Sequence, residues 1–187
     1  MRAVAISLII SGSLLWSACG TPSRFPLTEV SMSPSDDLIV GNWKMEEDTN
    51  KHNFYEITQS VEEGKYHVRF FNRGGTNPTF EANIFFSELE AADKSKVKFL
   101  NVPYWEKTLG KWGDMGYFFV RILETSAEFS HITTATVNNT EIYNKHTGSE
   151  VRAYVLENID NPEIYSDTVH FYKVNKTTAE LRQPYKQ

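Results

Sequence analysis

Leu38-Ile39-Val40-Gly41-Asn42-Trp43-Lys44 opens the folded part of this 187-residue chain. Leu, Ile and Val in succession suit a pleated, half-buried strand. Gly41 interrupts them, and a glycine inside a strand marks a bend or a place where another group comes close to the backbone. Trp43 lies two residues on, so it shares a face with Gly41, and with Ile39 and Met45. A ring of that size on an inward face can plug one end of a closed sheet, and the stretch predicts the first strand of such a sheet.

Downstream, period-two alternation predicts further strands near residues 53–60, 66–72, 79–87, 96–102, 116–123, 131–137 and 168–174, the first covering 38–45. Phe80, Ala82, Ile84 and Phe86 share one face while Glu81, Asn83 and Phe85 share the other. Phe118, Val120 and Ile122 likewise oppose Tyr117, Phe119 and Arg121. Glu62-Glu63-Gly64 and Arg73-Gly74-Gly75-Thr76-Asn77 supply tight-turn residues of the kind antiparallel hairpins use. Gly74-Gly75 precedes a β-type run and not a helix, which argues against a phosphate cradle. One helix interrupts the series: Thr147, Gly148 and Ser149 offer caps, Glu150 lies in the first turn, and Val151, Tyr154, Val155 and Ile159 recur at helical spacing before Asn161-Pro162. A last strand arriving after that helix can pair with the first and seal the meander, removing both edges. The expected fold is mainly β: a single antiparallel up-and-down barrel with one C-terminal helix before the last strand.

The Gly41-x-Trp43 stretch resembles the first-strand motif of lipocalins and fatty-acid-binding proteins, the calycin group of small ligand-binding barrels. The resemblance implies a lipocalin-like barrel over residues 38–176, with Trp43 packed against a basic residue from late in the chain. Lys173 and Arg152 are the positions that could serve.

The beginning of the chain carries a second resemblance. Met1-Arg2 is followed by an apolar or small-residue run from Ala3 to Trp16, too short to span a membrane, and then by Ser17-Ala18-Cys19-Gly20. Leu14 to Cys19 is similar to the lipobox of bacterial lipoproteins, with Trp16 standing where that pattern prefers Leu. The resemblance implies a signal peptide over 1–18, acylation of Cys19 and a palmitate-bearing anchor in the bacterial envelope. Gly20 after the cysteine implies the outer membrane, with the domain on its periplasmic or surface face. Several acyl chains on one residue hold far more firmly than one. The three prolines between Thr21 and Asp37 read as a flexible tether over 19–37, and residues 177–187 as a polar tail.

Cys19 is the single cysteine, so an acylated chain has no thiol for disulfides or metal binding. Removal of Arg2 with the leader leaves 18 basic against 24 acidic side chains, scattered, which argues against nucleic acid or an anionic bilayer surface as a partner. His52, His67, His131, His146 and His170 lack metal-ligand spacing, the carboxylates give no paired signature, and no nucleophile context is recognisable. No catalytic residue, metal or cofactor is therefore expected, and the chain reads as a binder and not an enzyme. Tyr104, Trp105 and Trp112, with Glu106, Lys107, Lys111 and Asp114 among them, fall in a connection between strands, where large rings need covering. They either pack on the outer wall, rim the mouth of a cavity, or contact a protein. Two functions remain open. In the first, a small apolar or amphipathic ligand lies inside the barrel, with Trp43 at the floor and Tyr104, Trp105 and Trp112 at the mouth. In the second, the barrel is a scaffold or accessory lipoprotein whose outer face meets an envelope protein.

Overall fold

Alternating side chains of β-branched and aromatic type build eight long strands, and these close on themselves. The computed structural model describes residues 22–30, 37–48, 52–72, 75–104, 107–108, 111–112, 116–125 and 131–182. The strands are β1 (Gly41–Met45), β2 (Phe54–Gln59), β3 (Tyr66–Phe71), β4 (Phe80–Glu90), β5 (Lys96–Tyr104), β8 (Gly116–Thr125), β9 (His131–Thr136) and β10 (Val169–Val174). A short ladder of β6 (Lys107–Thr108) and β7 (Lys111–Trp112) lies in the connection between β5 and β8. The barrel order is β1-β10-β9-β8-β5-β4-β3-β2, every pairing antiparallel, and β10 closes on β1 with Trp43 opposite Lys173. This is the expected up-and-down architecture of a lipocalin-like barrel. β1 starts at Gly41 and not at Leu38, because Asp37–Ile39 forms a 3-10 turn. The end of the barrel at this turn is its floor. The opposite end, where β5 stops and β8 starts, is its rim.

Two apolar cores lie on opposite sides of the barrel wall. Inside, Trp43, Tyr55, Tyr66, Val68, Phe70, Ile84 and Phe86 pack together. Outside, Leu89, Phe99 and Phe119 pack against Val151, Val155, Ile159 and Ile164. On the outward faces of β4, β5 and β8, Phe85, Leu89, Phe99 and Phe119 are buried. A helix covers part of them. α1 (Gly148–Glu157) starts at a capping box in which Thr147 accepts from the Glu150 backbone while Glu150 accepts from the Thr147 backbone. Past its other end, Arg121 of β8 donates to the Ile159 carbonyl and to Tyr165 Oη at 3.3 Å. A cation at a helix C-terminus meets the negative end of the dipole, and here it comes from the barrel wall.

The rest of the cover corrects the expected tether. Residues 22–30 lie along the barrel as a strap. Ser23 exchanges backbone hydrogen bonds with Tyr117 at 2.8 and 2.7 Å. Those two groups of Tyr117 lie just beyond the last β8–β9 bond, from Val137 N–H to the Phe119 carbonyl, so the strap satisfies backbone that β9 no longer reaches. Gly116 permits this, since a Cβ there would sit 2.7 Å from the Ser23 carbonyl oxygen. Leu27 is buried in the outer core, and its N–H donates to Oδ1 of the buried Asn101 at 3.0 Å. Asn101 in turn donates to the Phe85 carbonyl and to Ser87 Oγ, which pairs with Thr28 Oγ1 at 2.7 Å. Prolines and serines suggested an extended chain; buried Leu27 and this polar relay attach that chain to the wall. The predicted tail also begins with structure. α2 (Thr178–Leu181) is one capped turn, with the Arg182 guanidinium 4.2 Å from the Phe71 ring centroid.

The barrel cavity as candidate functional site

The inward residues leave a cavity of about 100 Å³ between the two ends of the barrel. Ile39 and Trp43 line it at the floor, Ile84, Leu100 and Ile132 along the middle, and Phe80, Val102, Thr136 and Val169 towards the rim. No charged side chain lines it among the described residues. The polar groups on the wall are hydroxyls and the Trp43 indole. Thr134 Oγ1 donates to the Val169 carbonyl at 3.4 Å, and burial, with the charge of Asp48, pushes the Tyr55 phenol far above its usual range. Tyr55 therefore stays protonated at any physiological pH.

The floor follows from the first strand. Trp43 is 2 % exposed and its Nε1 donates to the Ile39 carbonyl at 2.7 Å, so the buried ring satisfies its one polar atom within its own segment. Lys173 lies over the ring at 5.5 Å from its centroid and donates to the Leu38 carbonyl at 3.1 Å. Its stem crosses Gly41, whose φ is +140°, and a Cβ at Gly41 would lie 2.6 Å from Lys173 Cε. Of the two basic candidates, Lys173 is the partner of Trp43; Arg152 is exposed on α1.

Such a wall can exclude water and hold an apolar group by contact area; it offers no carboxylate, imidazole or amine. The volume is small beside the ~300–1,000 Å³ of pockets that take drug-sized ligands. Phe86 fills part of the interior, packed edge-on against Tyr66 at 5.7 Å, while Phe80 and Ile122 line what is left. The space suits a few-carbon apolar molecule or a segment of one alkyl chain.

Of the residues singled out from the sequence, Trp43 lines the cavity. Tyr104 ends β5 opposite Gly116, and Trp112 lies in β7 opposite Lys107, which places their backbone at the rim. Their side chains, and Trp105 and Cys19 entirely, lie outside the described residues. Sequence reading did not single out Ile57, Val68, Leu100, Ile132 or Phe171 as lining, although each occupies an inward position of an alternating strand. On the outer wall, His67 Nδ1 is 3.0 Å from Asn83 Oδ1, His67 Nε2 is 3.2 Å from Glu81 Oε2, and Asn83 Nδ2 donates to Glu62 Oε1 at 2.9 Å. Cross-strand neighbours pair there without a nucleophile, and no group of three or more potential metal ligands occurs among the described residues. Comparison with protein-family models, with curated proteins and with solved structures finds no match to this chain.

Proposed function

We propose that this protein is a lipid-anchored bacterial envelope lipoprotein, held through acyl chains on Cys19, whose barrel binds a small apolar or amphipathic ligand without transforming it. The observation that carries the binding half is the cavity: a closed barrel with an apolar lining and no charged side chain on it, a surface that gains from an apolar guest. The lipobox-like run ending at Cys19 supports the anchor, and the outer membrane is the leaflet system its Gly20 suggests. The ligand is slim, because the cavity admits little more than one chain.

Mass spectrometry of organic extracts from protein purified without detergent, together with titration of a fluorescent fatty-acid-type probe, tests the binding. Near-stoichiometric lipid in the extract, or saturable uptake of the probe, is the expected result. Val102→Phe, which adds a ring to the lining, should abolish uptake while leaving the fold intact. Protein that yields no lipid and takes up no probe is the scaffold of the alternative reading, acting through its outer face.

A further inference from the structure

The strap does more than cover the wall: it decides which end of the barrel the proposed anchor can reach. Ser23 is fixed by two backbone hydrogen bonds to Tyr117, one residue from the start of β8 at the rim. Ser23 is the fourth residue after Cys19, so Cys19 reaches no farther than ~14 Å from this point at full extension. Thr125, at the floor end of β8, is eight residues from Tyr117, about 26 Å along the strand and about 20 Å along the axis of a barrel with ordinary strand tilt. An acylated Cys19 therefore cannot reach the floor.

The fixation is built into the fold and not incidental. Gly116 leaves room for the Ser23 carbonyl, Leu27 is buried in the outer core, and the fully buried Asn101 spends its carbonyl oxygen on the Leu27 N–H. Freeing the strap would leave that oxygen and both Tyr117 backbone groups without these partners. Beside the strap, β5 ends at Tyr104 and β8 begins at Gly116. The acidic turn Glu46-Glu47-Asp48 follows β1, which is three strands from β8 in the eight-strand barrel and so nearly across it.

We propose that the strap holds the barrel with the β5–β8 side of its rim against the phospholipid bilayer that carries Cys19, and its Ile39–Trp43 floor away from it. This rests on acylation of Cys19. The test uses the full-length lipidated protein, reconstituted into phosphatidylcholine and phosphatidylglycerol vesicles that contain a nitroxide lipid. A blocked Cys19 leaves an introduced cysteine as the single reactive thiol, so Thr108→Cys at the rim and Glu63→Cys in the β2–β3 turn at the floor can each carry a nitrobenzoxadiazole dye. The nitroxide lipid should quench the dye at position 108 and leave that at position 63 at its level in vesicles without nitroxide. Inserting about 20 Gly/Ser residues after Thr21, with a reach of about 25 Å, keeps the strap but should erase the difference. Equal quenching at both positions, or stronger quenching at 63, in protein that floats with vesicles overturns the orientation and leaves the anchor standing. Protein that does not float and whose Cys19 still reacts with the dye overturns the anchor, and the orientation with it.

Discussion

Trp43 ties the floor of the barrel together through three unlike contacts. Its ring is buried against the interior cluster, its indole N–H satisfies the Ile39 carbonyl, and Lys173 covers its face. Removing the ring deletes a large apolar volume and leaves the Ile39 carbonyl without its donor, so Trp43→Ala should destabilise the domain by about 3–5 kcal/mol, the range for a large buried aromatic. Chemical denaturation with the midpoint followed by circular dichroism measures this. A midpoint indistinguishable from wild type would mean the ring is not part of the core. Gly41 is the other half of the same device. Its positive φ and the Lys173 stem beside it both exclude a side chain, which is why a glycine follows Leu38-Ile39-Val40 at the start of the first strand.

At the scale of elements, the strap and α1 share one task, since β4, β5 and β8 have apolar residues on both faces and need a second layer. Leu27 is the strap's one buried anchor in that layer, and Leu27→Ala should cost about 2–5 kcal/mol although the residue lies before the first barrel strand. Thermal unfolding of the mature chain measures it, and a free tether would show no effect. The helix adds a pH dependence. Backbone N–H groups of His146 and Thr147 hydrogen-bond the Glu150 carboxylate and hold its pKa below the usual carboxylate value. A group whose pKa is lower in the folded state stabilises above its unfolded value, near 4.3, and loses that contribution as pH falls through the folded one. Wild type should therefore exceed Glu150→Gln in melting temperature at neutral pH and lose that advantage on acidification below about pH 4. A constant gap between the two across a melting series from pH 7 to pH 3 would remove the capping box from the account.

For the whole molecule, anchor and barrel are separable. Cys19→Ser should abolish incorporation of labelled palmitate and leave the precursor unprocessed, while the barrel still folds, because the described contacts of the strap, at Pro22, Ser23 and Leu27, do not involve Cys19. Unaltered labelling and migration would refute acylation at this site. By itself the sequence determined all eight long strands, the helix with Thr147 among its three candidate caps, and closure of the last strand on the first. Each of these follows from local rules, namely side-chain alternation, turn chemistry and helix capping, which neighbours in sequence express. Trp43 was legible as a floor residue for the same reason, since Gly41 and Trp43 share a face. Only the tertiary structure decided that Phe85, Leu89 and Phe99 are covered and that residues 22–30 are a strap and not a tether. It alone chose Lys173 over Arg152 and left a cavity of about 100 Å³ in place of a solid core or a wide pocket. These depend on side chains far apart in the chain filling one volume: the bond from Leu27 to Asn101 spans 74 residues, and no local pattern records which side chains will meet or how much space they leave.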